Sequence, residues 1–155
     1  MNLLLMRHGK SSWSDDGVTD HERPLSARGR EDATSMATVL IENNIVPKMI
    51  LVSSSRRTME TVERMMVELP SVTVKVIPEL YHASPMAILE IIHNHGANVD
   101  PLMVVGHNPG METTVSNIAG HLVPFPSAAL AHAVIRPGES SEMRSVWRPN
   151  ETFPR

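Results

Sequence analysis

Three short segments carry residue types that can hold and process an anion. Arg7-His8-Gly9 closes an apolar run over residues 2–7, Ser53 to Arg57 follows the run Met49–Val52, and Gly106-His107-Asn108-Pro109-Gly110 follows Leu102–Val105. Arg7, His8, Arg57 and His107 are cationic or become so on protonation, and none has a carboxylate in its own motif. A bound anion would supply the missing charge. Phosphate fits best, because guanidinium forks match its oxygens in pairs, so a phosphate or sulfate ion is the expected occupant. Asn108-Pro109 then opens a helix, whose N-terminal N–H groups and dipole would point at the same ion.

Composition narrows the chemistry. The 155 residues include 8 histidines and no cysteine. Disulfides, thiolate zinc sites, iron–sulfur clusters and a sulfur nucleophile are therefore excluded, and covalent chemistry has to use another group. A net charge of -3 argues against nucleic acid held by bulk charge. No apolar run approaches the ~20 residues of a membrane span. The apolar start Leu3-Leu4-Leu5-Met6 is cut short by Arg7 and His8, too soon for a signal peptide. These features predict a cytoplasmic chain with one domain over residues 1–155 and no nucleic-acid or membrane partner. No metal or cofactor is called for: His93 and His95 stand two apart on a predicted helix and point apart.

The elements that must position these residues follow from periodicity. Residues 2–7, 49–52, 72–76 and 102–105 read as strands, the third through the alternation of Val72, Val74 and Val76. Residues 10–24 read as a long loop. Ser26 is a good N-cap for a helix carrying Ala33, Met36, Ala37, Leu40 and Ile41, ended by Asn43-Asn44 and Pro47. Met59, Val62, Met65, Met66 and Leu69 form a second helical stripe, read as core packing and closed by Pro70. Ser84-Pro85 starts a third helix that stops near Gly96, and residues 110–120 make a fourth. Ala129–Ile135 and Met143–Trp147, around Pro137-Gly138, are expected to form a C-terminal hairpin. Strands alternating with helices imply an α/β three-layer sandwich, a mostly parallel sheet with helices on both faces. Ligands in such sheets bind beyond the carboxyl ends of the strands, so all three segments open onto one crevice.

Taken in order, the motifs resemble the histidine phosphatase superfamily, with its phosphoglycerate-mutase-like fold, and within it the short SixA-type phosphohistidine phosphatases. Arg7-His8-Gly9 is similar to the family's signature. Arg23-Pro24-Leu25-Ser26 with Arg28-Gly29-Arg30 resembles the stretch entering its first long helix. Ser53 through Arg57 to Thr61 resembles its Ser-x-x-x-Arg-x-x-x-Thr segment, Pro78-Glu79-Leu80 has a counterpart before the third helix, and Val104 to Gly110 is similar to the second-histidine motif.

The resemblance implies that His8 is a nucleophile forming a phosphohistidine intermediate, and that Arg7, Arg57 and His107 stabilise the transferring phosphoryl group. Arg23 would be a further contact, unless it serves as an ion-pair partner of Asp20 or Glu22. Gly9 and Asn108 would lie beside the bound group. His82, just before a helix start, could line the crevice. Of the adjacent Arg56 and Arg57, spacing to Ser53 and Thr61 favours Arg57, and Arg56 belongs on the rim. Glu79 lies near the place of the family's general acid without matching the ester-cleaving pattern, so a dedicated acid stays open. Trp13 could shape the pocket mouth and Trp147 pack the hairpin, while His21, His121 and His132 read as surface or loop residues. The implied substrate is a phosphorylated protein carrying phosphohistidine. Two alternatives stay open: a small phosphorylated substrate cleaved as a phosphomonoester, and a non-catalytic phosphate- or phosphoprotein-binding module.

Overall fold

Apolar runs too short for helices become strands buried on both faces, and amphipathic stripes become the helices that cover them. A computed structural model describes residues 1–13, 16–136 and 138–153. Ser14 and Asp15 of the expected loop and Pro137 of the expected hairpin turn lie outside them. The elements run β1 (Asn2–Arg7), α1 (Ala27–Glu42), β2 (Met49–Val52), α2 (Arg56–Met66), β3 (Thr73–Val76), α3 (Pro85–Gly96), β4 (Leu102–Gly106), α4 (Gly110–Ala119), β5 (Leu130–Val134), β6 (Glu142–Trp147) and α5 (Pro149–Thr152). Two 3-10 turns, Asp20–Glu22 and Pro78–Leu80, precede α1 and α3. Among the described residues no helix is long and apolar enough to cross a membrane.

The sheet order is β3-β2-β4-β1-β5-β6. β3, β2, β4 and β1 are parallel, and β5 and β6 add the antiparallel hairpin beside β1. Alternate side chains of the inner strands feed two cores. Leu3, Leu5, Leu51 and Val104 face α3 and α4, packing with Ile88, Ile92, Met111 and Val115. Leu4, Met6, Ile50 and Val105 face α1 and α2, packing with Met36, Leu40, Val62 and Met65. Helices thus cover both faces, as the periodicity requires.

His132 lies on β5, inside the strand expected over Ala129–Ile135, and is half-buried there with Nε2 2.9 Å from Asn2 Oδ1, so it is more covered than a surface or loop residue. His21, read as a surface or loop residue, sits on a 3-10 turn with its Nε2 3.0 Å from Ser54 Oγ.

Candidate active site

Strand register brings the segments together. Arg7 pairs with Gly106, and Val52 with Val105, so β1, β4 and β2 end level. The ladder continues past the strand ends: His8 N–H donates to Gly106 O (3.1 Å) and Ser53 N–H to Val105 O (3.2 Å). Main-chain pairing therefore fixes His8, Ser53 and His107 at one edge, where the parallel-sheet rule places ligands.

Every fourth residue from 53 to 61 then meets this edge. Ser53 Oγ lies 2.8 Å from His107 Nε2. Arg57 Nε donates to His8 Nε2 (3.3 Å), and its Nη2 lies 3.3 Å from His107 Nδ1. Thr61 Oγ1 accepts the Gly9 N–H (3.0 Å) and donates to Arg57 O (2.7 Å). Arg57 and Thr61 are one turn apart on α2, which Ser55 caps by accepting the Thr58 N–H.

A guanidinium only donates, and that settles both imidazole tautomers. His8 Nε2 accepts from Arg57, so Nδ1 carries the hydrogen and donates to Gly9 O at 2.7 Å. His107 Nδ1 accepts from Arg57, so its Nε2–H donates to Ser53 Oγ. Both rings are neutral at physiological pH. Burial pushes His8 down to about 3; the Gly9 carbonyl opposes this, and the charges of Arg57, Arg7 and Arg23 add to it. Burial likewise pushes His107 down to about 2, helped by His8, Arg57 and His82. His8 Nε2 is therefore unprotonated, its lone pair accepting from Arg57, and an unprotonated nitrogen is what nucleophilic attack requires.

The cleft over these groups has a volume of about 340 Å³ and is walled by Arg7, His8, Arg23, Arg57, His107 and Asn108, with Lys10, Ser11, Trp13, Asp20, His82 and Ser127 completing it. Among the described residues, the buried side-chain polar atoms without a partner are Arg7 Nε, Arg23 Nε and Arg23 Nη1. Leaving such a donor unmet costs about 1–3 kcal/mol, more when it is charged. All three belong to two arginines of the cleft wall. Burial lowers the pKa of Arg7, Glu112 opposing and Arg57 adding, and burial and Arg57 lower that of Arg23. An anion would relieve that crowding.

Each residue singled out from sequence has a definite place. Arg23 lines the cleft, and its Nη2 lies 3.5 Å from Asp20 Oδ1, the expected ion pair. Its guanidinium carbon lies 3.5 Å above the ring of Trp13, which stands exposed at the mouth. Gly9 contributes backbone beneath His8. Asn108, two residues before α4, accepts the Glu112 N–H at Oδ1, while Nδ2 donates to Phe125 O. The amides of Met111 and Thr113 are taken by His107 O and Pro109 O. α4 therefore offers the cleft its dipole, and these N–H groups are spent within the helix. Arg56 is exposed and pairs with Glu60 at 3.8 Å. Glu79 is exposed on its 3-10 turn, and the cleft wall does not include it among the described residues.

Asp20 and Tyr81 are the residues that motif reading passes over. Asp20 O accepts from Arg57 Nη1 (2.7 Å), and Oδ2 accepts from Arg57 Nη2 (3.1 Å) and from the Tyr81 hydroxyl, and lies 3.1 Å from His82 Nε2. The Tyr81 bond, then the contacts with His82 and Arg57, hold the carboxyl far below the usual range, although desolvation opposes them. The available signal was an acid three residues before an arginine expected to bind an anion.

The model of the histidine phosphatase superfamily (branch 1) matches residues 3–84. The chain belongs to this superfamily. An uncharacterized chloroplastic protein of Arabidopsis thaliana is 34% identical over 128 residues, which span 76% of this chain and 59% of that protein, about three fifths of its length. Phosphohistidine phosphatase SixA of Escherichia coli is 28% identical over 143 residues, covering 87% of this chain and 86% of SixA. The solved structure of protein histidine phosphatase SixA complexed with tungstate superposes with a TM-score of 0.83 at 25% identity, covering 98% of this chain and 99% of that one. The α/β fold with its six-stranded mixed sheet is thus that of SixA-like histidine phosphatases.

Proposed function

We propose that this chain is a phosphatase that hydrolyses phosphohistidine on proteins through a phosphorylated His8. The observation that carries the reading is the set of unmet guanidinium donors of Arg7 and Arg23, in the wall of the same cleft as a histidine whose unprotonated Nε2 accepts from Arg57. In the proposed first step the phosphoryl oxygens take those donors together with Arg57. His8 Nε2 attacks phosphorus, a new N–P bond forms, and the substrate's P–N bond breaks with its electron pair leaving on nitrogen. Water then cleaves phospho-His8. An arriving dianion raises the proton affinity of His107, whose Nδ1 would then donate to a phosphoryl oxygen.

Two features favour a protein substrate over a small ester. The carboxylate on which ester cleavage would rest, Glu79, stands outside the cleft wall. A second cleft of about 410 Å³, bordered by Arg28, Arg148 and Asn150, shares Lys10 and Ser127 with the first and would extend the surface for a large partner. The tungstate bound by the SixA relative is a tetrahedral oxyanion of the kind this cleft would take.

The test is incubation with a phosphohistidine-bearing protein and with a small phosphoramidate. Phosphate release is expected, with an acid-labile phosphate trapped on the enzyme. His8→Asn should show neither, and Arg57→Ala should lose about 10²–10³ in rate. Wild-type rates retained by His8→Asn would refute the proposal.

A further inference from the structure

Phosphoryl transfer from an alcohol or a histidine is assisted by a proton delivered to the departing atom. We infer that His82, held by Asp20, supplies that proton. The inference rests on attack by His8 and names a group that neither the motifs nor the relatives assign.

The geometry separates floor from mouth. His8 lies on the floor and is 7% exposed, whereas the His82 side chain is 51% exposed at the rim. Attacking and leaving atoms lie in line across phosphorus, so the leaving group departs on the side away from His8, toward the mouth. The cleft holds three imidazoles. His8 is the nucleophile, and His107 has both nitrogens engaged, by Ser53 and Arg57. His82 is the third, with its ring centroid 5.1 Å from that of His107.

Other donors are poorly suited. Asp20 is ionised and accepts from several groups, so it has no proton to give. Tyr81 donates to Asp20, and burial, reinforced by Asp20, raises its pKa. Because Asp20 accepts, the hydrogen on His82 sits at Nε2, 3.1 Å from Oδ2.

The backbone holds this residue in place. His82 has φ 52, a left-handed conformation uncommon outside glycine and found at functional sites. Leu80 anchors the turn before it in the core, and the Tyr81 ring packs against it with centroids 4.2 Å apart. On its other side, Ala83 O lies so near Gly110 that a Cβ there would come within 2.1 Å of it. The segment is clamped between the core and the start of α4.

The proton balance closes over two steps. Imidazolium His82, its Nε2–H held by Asp20, gives its Nδ1 proton to the leaving nitrogen or oxygen as the bond to phosphorus breaks, and becomes neutral. A water then attacks phospho-His8, loses its proton to the neutral ring at Nδ1, and releases phosphate as the N–P bond returns its electrons to His8.

The test is kcat/KM across aryl phosphates from dinitrophenol to phenol, and for a phosphohistidine peptide. Asparagine tolerates the left-handed conformation, so His82→Asn should fold; His82→Gln is the second variant. Both should lose about 10²-fold on phenyl phosphate and the peptide, and only a fewfold on dinitrophenyl phosphate, steepening the dependence on leaving-group acidity. Added imidazole should restore part of the loss. An equal loss across the series, or an unchanged slope, overturns the role of His82. Failure to trap phospho-His8 in the wild type overturns the nucleophile reading instead.

Discussion

A substrate phosphoryl group and the Asp20 carboxylate compete for the same donors. Asp20 takes Arg57 and approaches Arg23, the guanidinium groups an anion needs. Neutralising it should tighten anion binding. A charge a few ångströms from the bound group is worth about 1 kcal/mol in a water-like setting, and Asp20 is half exposed, so Asp20→Asn should lower the inhibition constant of inorganic phosphate about fivefold. The same change removes the carboxylate that orients His82 and should lower kcat. Steady-state kinetics would show kcat and KM falling together; a higher phosphate inhibition constant would contradict the competition. At this scale the sequence is legible where a function sits in one contiguous motif. The run from Ser53 to Thr61 announces itself because residues four apart share a helix face. Asp20 and Tyr81 stay hidden because they meet only when two turns 61 residues apart fold over the same cleft. Glu79 stands out in the sequence by its nearness to the place of the family's general acid, but its turn buries Leu80 and leaves Glu79 exposed.

At the scale of elements, the stretch Arg28-Gly29-Arg30 has a steric reason. The start of α1 lies directly on the segment after β1: a Cβ at Gly29 would sit 2.1 Å from Lys10 O, and one at Gly9 would sit 2.7 Å from Gly29 O. Ser26 N–H and Oγ both bond Lys10 O, and Ser26 Oγ also accepts the Gly29 N–H. This close seam holds His8 against Arg57. Gly29→Ala must push the seam apart, at a cost of about 1–3 kcal/mol. The urea midpoint should drop accordingly, and kcat should fall more than the modest stability loss explains, because His8 moves with Gly9. An alanine variant with wild-type midpoint and rate would show that the seam yields freely. Helices α1 and α3 were legible through their serine caps, and the inner strands through their unbroken apolar runs. β3 was legible as a strand by alternation, although all four of its residues are exposed on the sheet edge. The 3-10 turns and α5 span three or four residues, too few for a periodic pattern, so their positions depend on packing that no local window contains.

Over the whole molecule, a net charge of -3 says nothing of a cleft where Arg7, Arg23 and Arg57 converge. Folding leaves that cleft cationic and keeps its two inner histidines neutral, which ties stability to pH. Unfolded, both imidazoles titrate near 6.5; folded, they are pushed to about 3 and about 2. Between these limits the unfolded chain binds more protons, so stability rises with pH and falls as acid is added, by about 1.4 kcal/mol per pH unit for each histidine. Asp20 is likewise shifted downward, as an acid, so its contribution too is lost as acid is added, but only below the ordinary carboxylate range. The urea midpoint should therefore fall steadily from pH 7 to pH 5, and His107→Asn should flatten the decline. An oxyanion changes the balance. Its charge favours protonated His107, so binding of phosphate or tungstate should take up a proton, and saturating anion should lessen the decline toward pH 5 as well as raise stability through mass action. Calorimetric titration in buffers of different ionisation enthalpy reads that proton directly. Proton uptake that disappears in His107→Asn would assign it to this ring, whereas binding with no proton exchange would mean that His107 stays neutral and meets the anion only through Arg57.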